Sequence, residues 1–281
     1  MGFFSKLFEK KECAICGGEI GLLGNRKLED GNMCKDCAAK LSPWFSDRRN
    51  STVQEITEQL QYREQNQEEL RSFRAARSIG QYYKVFVEEN AGVPVRFVVT
   101  RESNYTEANA DIINFKDVSS CIIDIREHKE ELKHRNDQNE MVSYNPPRYR
   151  YQYDFYVELT IANNPYFDDM KFKINRDSVD IETEDFARKA KTGIGQFLLG
   201  MVEFNPENYA EYREYKNMCD ELERIFECGR NGMAVTEQGE ETIVPTAAPT
   251  EQHVENRPKF CPECGAPASG GKFCEHCGSK L

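Results

Sequence analysis

The chain has 281 residues, 39% of them apolar and 30% charged, with a mean hydropathy of −0.72 and a formal net charge of −11. That length holds one ordinary domain plus small appendages, and its longest uncharged apolar stretch, Ile194 to Val202, is too short to span a bilayer. The acidic balance opposes sequence-independent binding to phosphate backbones, which normally needs a basic face.

Residues 1–12 set Phe3, Phe4, Leu7 and Phe8 on one helical face among lysines. Such a segment is either a helix that docks on a membrane surface or a partner, or a short end packed on its own domain. Met1 to Phe8 lacks a long apolar region and a small-residue cleavage site, so no secretory signal is expected. Lys6 stands where the myristoylation pattern wants Ser or Thr.

Residues 1–50 read as a first metal module. Cys13/Cys16 and Cys34/Cys37 are two Cys-x-x-Cys knuckles separated by a glycine-rich stretch that suits a small hairpin. Trp44 and Phe45, after Pro43, are expected to cap its small core. Residues 51–79 read as a connecting helix opened by the capping box Thr52-x-x-Glu55. Val53, Ile56, Leu60, Leu70 and Phe73 recur at helical spacing, and the polar break from Gln61 to Glu69 predicts a helix partly in solvent.

Residues 80–229 read as a strand-rich domain with a C-terminal helix. From Tyr151 to Ile161 apolar and polar residues alternate strictly, which places one face on a core and the other in water. Tyr82 to Val87, Val95 to Thr100, Val118 to Ile125 and Met170 to Ile174 are further predicted strands, and the charged residues 126–149 a long hairpin loop or extension. Phe186 to Met201 reads as an interrupted helical piece. A last helix is predicted to open at Asn205-Pro206 and close at Gly229, with Tyr212, Tyr215, Cys219, Leu222 and Phe226 as its apolar stripe.

Residues 230–258, rich in Gly, Thr, Glu, Gln and Pro, read as a flexible linker. Residues 259–281 carry the second set of knuckles, Cys261/Cys264 and Cys274/Cys277, as a zinc ribbon. A segment that short cannot bury enough core alone, so metal binding supplies its folding energy. Eight of the eleven cysteines thus fall into two four-thiolate sets. With no open coordination position, both are expected to hold structural Zn²⁺, two ions in all, with iron as the chemical rival. Paired cysteines read as metal ligands where thiols stay reduced, which with the absent export signal predicts a cytoplasmic protein.

No catalytic set emerges. Cys121 and Cys219 read as core fillers, His276 as an exposed knuckle side chain, and His128 and His134 lie in the charged stretch with nothing to place them beside a thiol. No phosphate-binding loop or metalloprotease motif is present. Tyr149, Tyr151 and Tyr153 with Arg148 and Arg150 could stack single-stranded bases, but the tyrosines share the apolar face of their strand, so burial is expected.

With these residues in view, Met-Gly-Phe-Phe-Ser-Lys-Leu-Phe at the start, Cys13-Ala-Ile-Cys16-Gly17, Cys34-Lys-Asp-Cys37 and the helix after them resemble a bacterial N-terminal four-cysteine domain of unknown function. Ser143-Tyr-Asn-Pro-Pro-Arg148-Tyr, Tyr153-Asp-Phe-Tyr156 and Asn164-Pro-Tyr-Phe167 resemble the strand-rich region next to it in such proteins, and the last 23 residues resemble a zinc-ribbon tail. By analogy the middle is pleckstrin-homology-like. The family implies no activity. Arg74-Ala-Ala-Arg77 stands where its pattern has an Asn-Pro-Thr-like turn, which extends the expected helix.

The expected fold is α+β: an antiparallel sheet domain with a C-terminal packing helix, flanked by two small zinc-ribbon modules. The expected function is a non-enzymatic zinc-binding adapter that joins protein partners through its central domain and tethered ribbon. Nucleic-acid binding through the ribbons, whose surroundings are mildly basic, and peripheral membrane contact through residues 1–10 stand as alternatives.

Overall fold

The structure, a computed structural model, describes residues 11–183 and 204–235. Residues 1–10 of the first predicted helical segment, the predicted helix Phe186 to Met201, most of the linker and the four C-terminal cysteines lie outside these residues. Contacts divide the chain into two compact units, Met1–Ile243 and Val244–Leu281, and all the described residues belong to the first.

Two small antiparallel hairpins come first: β1 (Lys11–Glu12) with β2 (Glu19–Ile20), and β3 (Arg26–Lys27) with β4 (Asn32–Met33). A single-turn helix, α1 (Lys35–Ala38), comes next. The long helix α2 (Val53–Ser72) begins at the predicted capping box, with Glu55 N–H donating to Thr52 Oγ1 at 3.2 Å and Thr52 N–H to Glu55 Oε2 at 2.7 Å. It does not run through Arg74-Ala-Ala-Arg77 as expected. Phe73, fully buried, turns to an extended conformation, and Ala76 N–H bonds Val87 O at 2.7 Å to start a sheet.

That first sheet is a four-stranded meander, β5 (Arg77–Ile79), β6 (Lys84–Asn90), β7 (Val93–Thr100) and β8 (Ile112–Asn114). A two-residue turn joins β6 to β7, with Ala91 at φ 50° and Gly92 at φ 79°, the conformation that matches strand twist. In the second sheet, β9 (Val118–Arg135) pairs along β10 (Met141–Ile161), whose other edge is shared by β11 (Asp169–Lys173) and β12 (Val179–Glu182) in succession. The charged residues 126–149 are therefore a β-hairpin extension. Its register jumps between Ser143 and Arg148, so residues 144–147 face no partner on β9. Between β11 and β12 the buried Asn175 side chain stands in for backbone. Its Oδ1 accepts from Phe155 N–H at 2.9 Å, and its Nδ2 donates to Tyr153 O at 3.1 Å and Asp177 O at 2.8 Å.

The alternation in β10 is realised in full: Tyr151, Tyr153, Phe155, Val157, Leu159 and Ile161 are all buried. The two sheets meet where Gln81 and Tyr82 N–H groups reach Ile174 O. The helix α3 (Ala210–Asn231) closes the space between them. Phe226 meets Phe97 and Phe115 of one layer, with ring centroids 5.0 and 5.1 Å away, while Tyr212 meets Tyr153 and Phe155 of the other at 4.9 and 5.3 Å.

Both predicted ends of α3 shift. Asn205-Pro206 opens a separate 3-10 turn, and the α-helix starts at Ala210. Gly229 lies inside the helix, where a Cβ would sit 2.4 Å from Phe115 Cγ; it is there for close approach. The left-handed cap is Gly232, at φ 67°. Val235 N–H then bonds Gly92 O at 3.0 Å, so residues 230–235 belong to the folded unit although they read as linker.

Candidate metal centre

The two hairpins bring the two knuckles together. Cys13 follows β1 and Cys34 follows β4, and Ala14 N–H donates to Asn32 O at 2.8 Å across the pair. Gly17, at φ 71°, lets the first knuckle turn back. The four sulfurs of Cys13, Cys16, Cys34 and Cys37 lie within 4.8 Å of one another, a group that could hold a metal ion. A tetrahedral ion with metal–sulfur bonds of about 2.3 Å spaces its sulfurs about 3.8 Å apart; Cys16 Sγ and Cys34 Sγ are 3.9 Å apart. All four cysteines are free thiols, not disulfides.

Backbone amides prepare the cluster for negative charge. Cys34 N–H points at Cys13 Sγ and Cys37 N–H at Cys34 Sγ, both at 3.3 Å. Burial raises the Cys13 thiol, but amide donors from Cys34, Cys16 and Ile15 outweigh it and bring it down to about 6. Burial and hydrogen bonding to the other three thiols push Cys37 up. One thiolate is welcome there and a crowd of them is not, unless a dication compensates. The donor set fits an ion held by four thiolates. Cys261, Cys264, Cys274 and Cys277, the second predicted set, lie outside the described residues, as does His276.

Around the sulfurs, Ile20, Leu28, Met33 and Leu41 form a small core completed by Ile56, Val53 and Leu60 of α2. The helix is therefore part of the module as well as its connection. Phe45 packs on this core as expected, but Trp44 turns to the large core, 6.0 Å from Tyr83 and 6.2 Å from Phe172 by ring centroids.

The polar stretch of α2 departs most from expectation. Arg63 and Asn66, read as part of a solvent-facing break, are buried. Arg63 pairs with the buried carboxylate of Asp111 and donates to Asn109 Oδ1 at 2.7 Å and Ala110 O at 3.0 Å. Asn66 bonds Ala110 O at 2.7 Å and accepts from Ile112 N–H at 2.8 Å. From the module, Ser42 Oγ donates to Asp111 Oδ2 at 2.8 Å, while Asn109 Nδ2 donates to Leu41 O at 2.7 Å. Burial pushes the Asp111 carboxyl up, against the pull of Arg63 and Ser42. Residues 109–111 thus tie the module and helix to the first sheet. Their only trace in the sequence is an Arg and an Asn at i and i+3, in phase with Ile56, Gln59 and Leu70.

The other residues singled out in the sequence lie apart from this cluster. Burial pushes the thiols of Cys121 and Cys219 up to about 12, so both stay protonated fillers. His128 is seven residues along β9 from Cys121, about 23 Å in an extended strand. Tyr151 and Tyr153 are buried and Arg150 is paired with Glu182 at 2.7 Å, so no stacking platform forms there. A groove of about 1060 Å³ runs beside α2, bounded by Cys16 and Lys40 of the module, Leu60 and Glu64 of the helix, and Asn109. Among the described residues no helix is long and apolar enough to cross a membrane.

Residues 11–59 match the family described as a domain of unknown function, DUF4428. The match ends within α2. No curated protein and no solved structure matches the chain.

Proposed function

We propose that the chain is a non-enzymatic, zinc-binding adapter of the cytoplasm that holds protein partners. The observation that carries this reading is a closed four-sulfur cluster fixed to a β-sheet domain through a buried polar junction, with an open groove alongside. A closed site stabilises a surface; it has no open position at which to activate water or substrate. Cys261, Cys264, Cys274 and Cys277 hold a second zinc by the same thiolate chemistry. The two sheets capped by α3 support a pleckstrin-homology-like reading of the middle, a scaffold for recognition.

Partners are sought by nuclease-treated pull-down from the native cell. Three chains are compared: the full chain, a chain stopped after residue 243, and a full chain carrying Gln61→Arg and Glu64→Arg in the groove. Protein partners lost in either variant support the adapter and say which part holds them. Signal that vanishes only with nuclease transfers the reading to nucleic acid, and turnover of any substrate by the metal-loaded chain overturns it. Metal analysis is expected to give two zinc ions per chain, falling to one with Cys261→Ser and Cys264→Ser.

A further inference from the structure

The first module carries two leucines where a folded domain would normally place polar residues. Gly21 to Gly24 form a tight turn, closed by Gly24 N–H donating to Gly21 O at 2.9 Å. Leu22 and Leu23 occupy its two central positions, 77% and 89% exposed, the most exposed large apolar side chains among the described residues. A single exposed leucine is ordinary. Two at the tip of one turn form a projecting apolar point that the module's own core does not use.

Cations gather behind the point. Arg26 Nη1 curls back to the carbonyls of Leu23 and Asn25 at 3.3 and 3.2 Å, and Arg48 Nη1 donates to the carbonyl of Lys27 at 2.8 Å, with Arg49 beside it. Among the described residues Arg26, Arg48, Arg49 and the neighbouring Lys27 form no ion pair. The nearby carboxylates of Asp30 and Asp47 are turned to Val53 N–H and the Asn50 amide, while Glu29 is exposed to solvent. Burial above all, with the charges of Arg26 and Arg49 added, holds Arg48 below the ordinary guanidinium range. On the outer face of the second sheet Arg126 pairs with Asp124, Lys171 with Glu158 and Lys173 with Asp154. In a chain of net charge −11 a basic cluster without ion pairs beside exposed leucines stands apart.

We propose that this tip is a membrane-docking site, in which Leu22 and Leu23 enter the acyl layer and Arg26, Lys27, Arg48 and Arg49 bind the phosphates of anionic lipids. Stable membrane attachment takes two signals together, such as apolar insertion and electrostatic attraction, and the module supplies both. A folded protein partner would need a broad complementary face, which a two-residue point does not offer. Leucines do not stack on bases as aromatic side chains do. The site shares no residue with the groove or with residues 1–10.

The test is co-sedimentation of the full, metal-loaded chain with vesicles of phosphatidylcholine alone and with about one-third phosphatidylglycerol. The chain is expected to bind the anionic vesicles only, and less at raised salt. Leu22→Ser with Leu23→Ser, and separately Arg48→Glu with Arg49→Glu, are expected to weaken binding about tenfold or more. Both pairs of substitutions should keep the metal content, since these side chains do not touch the sulfurs. Absence of vesicle binding overturns the proposal. So does binding that survives loss of both leucines and disappears with Phe3→Ser, Phe4→Ser and Phe8→Ser. Capture of a protein that depends on Leu22 and Leu23, without vesicle binding, overturns it as well and transfers the tip to a protein partner.

Discussion

Residues 13–41 enclose Ile20, Leu28, Met33 and Leu41 around four sulfurs, whereas β9 to β12 and α3 enclose Phe155, Phe172, Leu159, Met170 and Phe226 in a core shared with the first sheet. The first region has strands of two residues and a one-turn helix. The second has one strand of 21 residues and a helix of 22. The small region buries little apolar surface to offset the entropy of ordering its chain, a shortfall that a metal held by its four thiolates would make up. The large one needs none. Beside the packing of Trp44, what joins them is largely polar: Arg63, Asn66 and Asp111 sit where apolar packing would have been simpler.

The largest test of that contrast removes the metal. Structural zinc binding is worth roughly 10–16 kcal/mol in small thiolate modules, so a strong chelator, or Cys34→Ser, is expected to abolish hydrogen-exchange protection over residues 11–41 while β10 stays protected. The converse is Phe155→Ala. Emptying a fully buried aromatic site costs about 3–5 kcal/mol, and the loss should appear in denaturant unfolding of the sheets with metal content unchanged. Asp111→Ala strikes the junction. Leaving Arg63 buried and unpaired costs about 3–5 kcal/mol, and melting of the two regions should separate; a single unchanged transition would show that apolar contacts along α2 suffice. Asn175→Asp replaces a donor by an acceptor opposite two carbonyls and should cost about 1–3 kcal/mol by the same assay. Smallest, and opposite in sign, is Ala91→Gly. Relieving a left-handed alanine in the β6–β7 turn should raise stability by up to about 1 kcal/mol, seen as a higher denaturation midpoint.

The two regions are also unequally legible in the sequence. The cysteine spacing announces the four-sulfur cluster because metal geometry constrains sequence locally. The alternation of Tyr151 to Ile161 and the stripe from Tyr212 to Phe226 announce their elements because each buries a face of regular period. Arg63 and Asn66 are hidden because their partners at residues 109–111 are remote in the chain, and a polar residue on a helix gives no sign of which side of it is wet. Strands β5, β8 and β12, three or four residues each, are too short to show a period. Gly229 looks like a helix stop because the ring of Phe115 that requires it lies on another element. Leu22 and Leu23 pass as hairpin filler until their exposure is seen.

Residues 144–147 stand out of the β9–β10 ladder as a set of four. Side chains in a strand alternate faces, so an offset of one residue would turn everything beyond it over, while an even offset leaves every later side chain on its own side. The hairpin arm is therefore built to change length in pairs. Its outer half can be extended or trimmed by two residues at a time with Tyr149 to Ile161 kept on their own faces, which opens it to reshaping while the rest of the described fold holds still.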